Sequence, residues 1–457
     1  MTTSLANLEA SLLTAFEPLG RFSKLAVALS GGMDSVVLLN AIHTLVPTLS
    51  QASPLKLRAI HINHGLQAEA DEWQLFCERL CAEYGIDLQV ERVILKRKPG
   101  ESLEAIAREA RYHCFEHSLD EDECLIMAHH QDDQMETLLL RFMRGASAQG
   151  LSGIPQQRRL GKGVLHRPLL HLRRDDLAAF AKLRQLTWVE DSPNQDSCFE
   201  RNFCRHELLP LIESRWPGYR SSWTKTLSLS NEANLLLRQS AQTDLALIGC
   251  TASPLELEQL LIWDQARQRN VLKHWLTEIT GQVPGWHLLH GLTEQLLPAR
   301  ADAKASLKTR HYELRRFKNR LYVLPKAQQF DANTCLNWDI SHGAELALPN
   351  NGVLEAKAAL GKGLIVPDGS TLSVRYRRGG ECIKLAKRPT KPLKKFLQEL
   401  SVEPWIRERL PIVYCGDDLV AIAGLAVAEK YRAAQHQHGY VFTWHQASLD
   451  LVSSIEG

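Results

Sequence analysis

Short apolar runs alternate with amphipathic stretches between residues 24 and 214. The apolar runs predict four strands, Lys24–Leu29, Leu57–Asn63, Leu88–Leu95 and Cys124–Ala128. Helical spacing of apolar residues predicts helices over 36–45, 70–84, 103–117 and 132–144. Strands and helices in this alternation predict an α/β fold, a doubly wound parallel sheet covered on both faces. In such folds ligands bind at the carboxyl ends of the strands.

The pattern changes after Trp216-Pro217-Gly218. Residues from about 222 to 298 are rich in leucine at helical spacing and contain no run that clearly predicts a strand. A hairpin is predicted next, with strands over 306–317 and 321–324. These features indicate a mainly helical unit that ends in a hairpin.

The last part of the chain has a third pattern. Scattered turn residues over 328–352 predict a linker or an irregular entry. From Leu372 onward the sequence predicts short strands with one helix, Leu393–Leu400, between the first two. We therefore predict three domains: a doubly wound α/β domain over 1–217, a mainly helical domain over 218–330 and a small α+β domain over 331–457.

Charge changes this picture because it is unevenly spread along the 457 residues. The net charge is only +2, but residues 141–184 contain ten basic and two acidic side chains. Residues 371–410 contain eleven basic and four acidic ones, and a third basic cluster lies between 300 and 320. Separated basic segments suit a long polyanion such as nucleic acid better than a small acidic metabolite.

Composition also excludes several classes of protein. No run of about 18 apolar residues predicts a membrane-spanning helix, and no basic segment at the N-terminus indicates a secretory signal. The ten cysteines are too dilute for a disulfide scaffold. We therefore expect a cytoplasmic protein that is not bound to a membrane.

The strongest candidate for chemistry follows the first predicted strand. This segment consists of Ser30, Gly31, Gly32, Met33, Asp34 and Ser35. Two glycines allow close approach of the backbone to an anion, and the start of the next helix supplies free N–H groups. Asp34 would repel a phosphate unless a metal lay between them, so the segment predicts a phosphate site with Mg²⁺. The spacing matches neither the Walker A motif nor the dinucleotide fingerprint.

This hexapeptide resembles the SGGxDS motif of the PP-loop ATP pyrophosphatases, which hold the pyrophosphate of ATP. Further motifs, in this order and at these distances, are similar to those of the tRNA(Ile)-lysidine synthetase family. They are HINHGL at 61–66, AREARY at 107–112, HQDDQ at 130–134, RPLL at 167–170, EDS at 190–192, RNFCR at 201–205 and KPLKKFLQELSVEPWIRER at 391–409. The resemblance covers most of the chain and is weakest from about 228 to 370.

The resemblance implies a two-step reaction on the wobble cytidine of an isoleucine tRNA with a CAU anticodon. ATP adenylates the C2 carbonyl oxygen and releases pyrophosphate, and the amine of free L-lysine then attacks C2 and expels AMP. The product, lysidine, pairs with A rather than G and changes the tRNA from a methionine to an isoleucine acceptor. ATP and Mg²⁺ are the implied cofactors, and no obligate protein partner is implied.

Candidate roles follow for particular residues. Ser30–Ser35 and His61, which ends the second strand, are expected to bind ATP. Asp34 and Asp133 are expected to hold Mg²⁺, with Asp133 on the incoming lysine as the alternative, and His130 or Asp133 is expected to accept the proton of the lysine amine. The side chains expected to bind tRNA or substrate are Arg108, Arg111, Tyr112, Arg201, Arg205, Arg388, Lys394 and Lys395.

Structural interpretations of the same residues stay open at this point. Arg108 and Arg111 could form surface ion pairs, and Arg201 and Arg205 could lie on an exposed helix face. His130 could be satisfied by backbone groups at a strand end.

Two other functions are also compatible with a PP-loop. A tRNA thiolase needs reactive cysteines, usually in a C-x-x-C motif, whereas Cys77 and Cys81 are four apart on a predicted helix. An RNA-binding protein with an inactive nucleotide fold would be expected to lose the residues that carry chemistry. Ser30, Asp34 and Ser35 are all present.

Overall fold

The computed structural model describes residues 5–45, 55–65, 69–95, 103–147, 149–190, 200–249, 252–299, 305–326, 330–340, 345–367 and 370–446. It divides into two compact units, the first ending at Leu236 and the second beginning at Leu237. No helix in these ranges is long and apolar enough to cross a membrane. Asp191 and Ser192 of the EDS motif, and Leu66 of HINHGL, lie outside the described residues.

A six-stranded sheet forms the centre of the first unit. Its strands are β1 (Lys24–Ala28), β2 (Lys56–Asn63), β3 (Asp87–Arg92), β4 (Glu123–Ile126), β5 (Gln157–Leu160) and β6 (Gly163–His166). Their order is β3-β2-β1-β4-β6-β5, parallel except for β5, which runs antiparallel to β6 at the edge. Because the chain goes from β1 outward to β3 and then returns to β4 on the other side of β1, the topological switch lies between β1 and β4.

Helices cover both faces of this sheet. They are α1 (Leu5–Phe16), α2 (Met33–Leu45), α3 (Ala70–Tyr84), α4 (Leu103–Ser118), α5 (Gln131–Met143), α6 (Arg174–Leu183), α7 (Glu200–Phe203) and α8 (Leu209–Arg215). Side chains alternate along β1, so Leu25 and Val27 enter the core beneath α1, α2 and α6, whereas Ala26 faces Phe115 of α4. The doubly wound α/β class predicted from the sequence is confirmed.

A long helix, α9 (Tyr219–Ile248), crosses from the first unit into the second. The second unit then contains α10 (Gln265–Thr280), α11 (Trp286–Gly291) and a four-stranded antiparallel sheet. Its strands are β7 (Leu255–Glu256), β8 (Ser306–Lys308), β9 (Tyr312–Phe317) and β10 (Arg320–Pro325), in the order β7-β10-β9-β8. The predicted hairpin is confirmed as β9 and β10, which turn at Lys318 with a positive φ of 54°. The predicted first strand over 306–317 is, however, divided into β8 and β9, which pair with each other.

The rest of the second unit is rich in strands. Its strands are β11 (Cys335–Trp338), β12 (Glu345–Leu348), β13 (Gly352–Leu360), β14 (Leu372–Arg375), β15 (Cys382–Ile383), β16 (Lys391–Pro392), β17 (Ile412–Cys415), β18 (Asp418–Ile422), β19 (Ala426–Val427) and β20 (His438–His445). The two short helices are α12 (Leu393–Glu399) and α13 (Pro404–Arg407). The strands form sheets in the orders β11-β14-β17-β18-β19, β12-β13-β20 and β15-β16.

The expectation of an irregular segment over 328–352 is wrong. β11, β12 and the first residue of β13, Gly352, lie in this segment. β11 pairs with β14, which comes later in the chain, and β12 pairs with β13. These strands are short, and Asn337 interrupts the apolar pattern of β11. The stability of β11 comes from pairing with a distant strand, which local sequence reasoning does not capture.

Candidate active site

The Ser30–Ser35 segment connects β1 to α2 at the topological switch. Ser35 Oγ donates a hydrogen bond to the Gly32 carbonyl (2.9 Å) and lies 3.0 Å from Ser30 Oγ, which in turn accepts from the Gly32 amide (3.3 Å). Gly31 has a φ of +88°, a conformation that strains other residues. The loop is therefore folded by its own hydroxyls into a tight turn at the start of a helix, where backbone N–H groups favour anions.

His61 lies behind this loop. Its side chain is buried, and Nδ1 donates to the carbonyl of Leu29, the last residue before the loop, at 2.9 Å. Burial lowers the pKa of His61, which keeps the ring neutral. The structure thus gives His61 a contact with the backbone that supports the loop, and its predicted contact with ATP stays a prediction.

His130 is the N-cap residue of α5 and approaches the loop from the end of the neighbouring strand. Its Nε2 atom lies 3.6 Å from Asp34 Oδ2 and 3.5 Å from Asp133 Oδ2, and its ring is almost completely buried. Burial lowers the pKa of His130, but the contacts with Asp34 and Asp133 favour the imidazolium more strongly, and the net result is a raised pKa. The adjacent His129 has the opposite shift, because burial lowers its pKa to about 3.

Asp133 is held at the start of α5. Its Oδ2 accepts from the His130 amide at 2.9 Å, and its Oδ1 accepts from Arg201 Nη2 at 2.8 Å. Burial raises the pKa of this carboxyl, but the positive charges of His130 and Arg201 outweigh it, and the pKa falls to about 2. Asp133 is therefore a carboxylate with both oxygens occupied and with little tendency to take up a proton.

Arg201 and Arg205 share a second, fully buried acid. Glu136 follows Asp133 by one turn of α5, and it accepts from the Nε atoms of both arginines at 2.6 Å. The two arginines are thus neither free nor on an exposed face. They form a network of ion pairs that fixes α5 to the segment 200–205 beside His130.

Asp132 points to the other side of α5. Its Oδ2 accepts from the backbone amide of Arg174 (2.9 Å), and its Oδ1 accepts from Arg220 Nη2 (2.9 Å). Through this carboxylate the start of α6 is held against the site. The Nε atom of Arg174 then lies 3.8 Å from Asp34 Oδ1.

A basic pocket of about 310 Å³ opens beside the ion pairs of Arg201. Within the part of the chain that the structure describes, its lining contains five arginines and no acid: Arg108, Arg141, Arg158, Arg167 and Arg201 line it together with Tyr112, His129, Thr137, Ile154 and Pro155. A concave site with this charge is suited to a phosphate or a nucleotide.

Tyr112 lies in the middle of this pocket. Its hydroxyl accepts from Arg167 Nη2 at 3.1 Å, and the guanidinium groups of Arg108 and Arg158 lie over its ring, 5.2 and 4.7 Å from the centroid. Arginines thus lie over the ring of a residue that the sequence predicted to bind tRNA or substrate. Arg111, on the next turn of α4, is exposed and does not line the pocket.

The remaining predicted tRNA residues belong to the second unit. Lys394 and Lys395 are exposed on α12, whose buried face consists of Leu393, Phe396 and Leu397, and Arg388 is exposed in the preceding segment. These three cations form what we call the α12 patch. Its predicted contact with tRNA stays a prediction.

Several residues of the site were not predicted. Glu136, Arg167, Arg174 and Arg220 all contact predicted residues. Glu136 could have been found from its position three residues after Asp133, which places both on one face of a helix. Arg174 and Arg220 gave no local signal, because their partners are distant in the chain.

Carboxylates are the side chains of the site that suit Mg²⁺. Within the described ranges, no group of three or more His, Cys, Asp or Glu side chains is arranged to hold a metal ion. Mg²⁺ often binds through one or two carboxylates together with the phosphates of a substrate. Asp34 suits this role because its Oδ1 is buried without a hydrogen bond, whereas both oxygens of Asp133 already accept one.

Comparison with known proteins identifies the family to which this chain belongs. Residues 5–212 match the family described as PP-loop domain, 255–322 match the TilS substrate binding domain and 372–444 match the TilS substrate C-terminal domain. The tRNA(Ile)-lysidine synthase of Coxiella burnetii is 40% identical over 421 residues, covering 92% of each chain. The chain belongs to the tRNA(Ile)-lysidine synthase family.

A second relative in this family has a similar extent of identity. The tRNA(Ile)-lysidine synthase of Pseudomonas syringae is 39% identical over 443 residues, covering 93% of this chain and 94% of its own. Family membership predicted from the motifs is thus confirmed. The PP-loop match covers α1 to α7 and the first part of α8, and it includes Asp34, His130, Asp133 and Arg174, whereas Arg220 lies beyond it.

Proposed function

We propose that the chain ligates free L-lysine to C2 of the wobble cytidine in tRNA(Ile) with a CAU anticodon, at the expense of ATP. The observation that carries this proposal is His130, whose Nε2 lies within 3.6 Å of carboxylates from both the PP-loop and α5. Such a site brings a phosphate-binding loop and a proton acceptor together, and lysine ligation needs both.

The first step joins the cytidine to AMP. The C2 carbonyl oxygen attacks the α-phosphorus of ATP, and the bond to the leaving pyrophosphate breaks. The hydroxyls of Ser30 and Ser35 and the amides at the start of α2 meet the negative charge that develops there. Activation is needed because a urea-like carbonyl is a poor electrophile, and AMP supplies a good leaving group.

Mg²⁺ is the cofactor proposed for this step. It would bind through Asp34 and the phosphates of ATP, and it would neutralise charge on the phosphate oxygens. Asp133 suits the ion less well than the sequence suggested, because His130 and Arg201 occupy its oxygens.

The second step forms the new C–N bond. The amine of lysine attacks C2, loses a proton and displaces AMP. Free lysine carries an ammonium group near neutral pH, so a proton acceptor is required. We assign this role to the neutral form of His130 rather than to Asp133, because Nδ1 of His130 is buried without a hydrogen bond, whereas both oxygens of Asp133 already accept one. The raised pKa of His130 means that the ring must lose its own proton before lysine attacks.

Binding of tRNA is assigned to the basic pocket and the α12 patch. The arginines of the pocket suit the phosphates flanking the target nucleotide, while the exposed cations of the patch suit phosphates elsewhere on the tRNA. A cytoplasmic location, with no obligate protein partner, agrees with such a substrate.

The alternative of a tRNA thiolase is disfavoured by the state of Cys77 and Cys81. Both are buried in the core, and burial raises the pKa of Cys77 to about 12 and that of Cys81 to about 11. Sulfur transfer needs a reactive thiolate, which these residues do not provide. An inactive RNA-binding protein would have no need of the contacts between His130, Asp34 and Asp133.

Incubation with ATP, Mg²⁺, labelled lysine and a CAU-anticodon tRNA(Ile) transcript tests the proposal. Lysine should enter the tRNA only when ATP is present. A matched transcript with uridine in place of the wobble cytidine should accept none. Incorporation that did not require ATP, or an absence of incorporation by folded protein that binds the tRNA, would contradict the proposed function.

A further inference from the structure

The loop that holds pyrophosphate contains no cation of its own. Ser30–Ser35 offers only hydroxyls and amides, and it includes the negative charge of Asp34. A Walker A loop differs here, because its lysine reaches the β- and γ-phosphates. Charge that builds on a departing pyrophosphate is therefore expected to meet a cation brought from another element.

The arginines around the loop differ in how strongly they are already paired. Arg201 and Arg205 are bound to Glu136, and Arg220 is bound to Asp132. Arg173 pairs with Asp175 at 2.6 Å. Each of these guanidinium groups would have to give up an acid before it could turn toward a phosphate.

Arg174 is different. Among the described residues its side chain pairs only with Asp34, where 3.8 Å separates Nε from Oδ1, a distance too long for a hydrogen bond. The side chain is 49% exposed, so it can move toward a ligand on the loop. Its backbone, in contrast, is fixed by the hydrogen bond from its amide to Asp132.

We propose that Arg174 is a catalytic residue that binds the leaving pyrophosphate during adenylation, and that Asp132 positions it. This inference rests on the proposed function for the identity of the reaction. As the cytidine oxygen bonds to the α-phosphorus, the electron pair of the breaking bond passes to the pyrophosphate. The guanidinium then donates planar hydrogen bonds to oxygens that gain charge.

Asp132 contributes through geometry rather than by touching the ligand. One of its oxygens holds the amide of Arg174 and the other holds Arg220, so the first residue of α6 is tied to the start of α5. Replacing Asp132 by Asn keeps an acceptor for the amide but weakens the pair with Arg220. We expect Asp132→Asn to lose less activity than Asp132→Ala, as a positioning role requires.

The test compares Arg174→Ala and Arg174→Lys with Lys182→Ala, a matched control at an exposed position of the same helix. Calorimetric titration of the full chain with magnesium pyrophosphate comes first and needs no tRNA. We expect Arg174→Ala to bind at least tenfold more weakly, Arg174→Lys to be intermediate and the control to match the unaltered protein. Equal affinity of Arg174→Ala and the unaltered protein would overturn the inference.

Rapid-quench measurement of pyrophosphate release, with CAU-anticodon tRNA and without lysine, is the second arm. Arg174→Ala should be slower by about 10²–10³-fold, with tRNA affinity unchanged, because one charge-stabilising donor is lost. Methylguanidine should partly restore its rate and leave Lys182→Ala unaffected, which a merely structural defect would not do. A rate within threefold of the unaltered protein would refute the role of Arg174.

The two arms separate this inference from the proposed function. A result in which the unaltered protein releases no pyrophosphate with this tRNA, yet binds pyrophosphate more tightly than Arg174→Ala does, would contradict the proposed reaction. The same result would support pyrophosphate as the ligand of Arg174. If the tRNA reaction proceeds and Arg174→Ala changes neither binding nor rate, the reaction stands and the inference fails.

Discussion

His130 and Asp34 approach each other from the ends of two neighbouring strands, with 3.6 Å between Nε2 and Oδ2. This contact joins the first turn of α2 to the N-cap residue of α5, across the switch point of the sheet. It therefore places the expected site of phosphoryl chemistry beside the expected site of proton transfer.

Asp34→Asn should abolish the first step. The substitution removes the carboxylate assigned to Mg²⁺. Because a bound metal ion stabilises the charge of the transition state by several kcal/mol, pyrophosphate release should slow by at least about 100-fold. tRNA affinity, measured by filter binding, should stay within about twofold. Asp71→Asn, at an exposed position of α3, is the control. A large loss of tRNA affinity in Asp34→Asn alone would mean that Asp34 belongs to the RNA surface.

His130→Gln should separate the two steps. Glutamine keeps polar contacts at this position but cannot accept the proton of the lysine amine at neutral pH. We expect AMP release after addition of lysine to fall by about 10²–10⁴-fold, and pyrophosphate release beforehand to fall much less. Single-turnover assays with labelled ATP measure both rates. If the rates of AMP release and pyrophosphate release fell equally, His130 would support the phosphate-binding loop and would not be the proton acceptor for lysine.

Glu136→Gln should destabilise the first unit. It removes the charge that Arg201 and Arg205 share, and loss of one partner from a buried ion pair costs about 3 kcal/mol, the lower end of the usual range because both arginines are about a quarter exposed. Urea unfolding measures this change. The exposed Glu207→Gln is the control and should change stability little. Equal stability of the two variants would show that the network is not a structural support.

Replacing the three cations of the α12 patch by alanine should weaken tRNA binding and its dependence on salt. Each phosphate contact releases counterions, so the slope of log K against log salt should become less steep by about 2. The matched control replaces three basic residues of the same unit that pair with acids, Lys357, Lys384 and Lys430. If both triple variants had the same slope, the patch would not be a tRNA surface.

Cys77 and Cys81 should resist alkylation in the folded protein. With pKa values raised to about 12 and 11, thiolates form only at high pH, so both residues stay protonated at pH 8. The exposed Cys335 and Cys382 should react with iodoacetamide first, as peptide mass mapping would reveal. Rapid labelling of Cys77 in native protein would reopen the thiolase hypothesis.

Local sequence patterns predicted the parts of the fold that depend on local physics. The turn at Gly31 follows from glycines between a strand and a helix, and the α3 bounds 70–84 follow from apolar spacing. β11 could not be predicted from local patterns, because it is short and becomes a strand by pairing with the distant β14, and β12 has only four residues.

The same limit applied to the site. The sequence indicated Asp34, His130 and Asp133 as reactive groups, but spacing alone does not reveal that Arg201 neutralises Asp133. Only the folded chain shows that the carboxylate of Asp133 is bound to Arg201, whereas that of Asp34 has an oxygen without a hydrogen bond. The domain boundaries and the roles of individual side chains stay predictions.

The most direct test of the central claim is the identity of the nucleoside at the wobble position after reaction. The CAU-anticodon tRNA(Ile) transcript is incubated with the protein, ATP, Mg²⁺ and lysine, digested to nucleosides and analysed by mass spectrometry. The account predicts that the wobble cytidine is converted to lysidine, and that Asp34→Asn leaves it unchanged. Recovery of a thiolated cytidine, or of unmodified cytidine with folded protein that binds the tRNA, would contradict it.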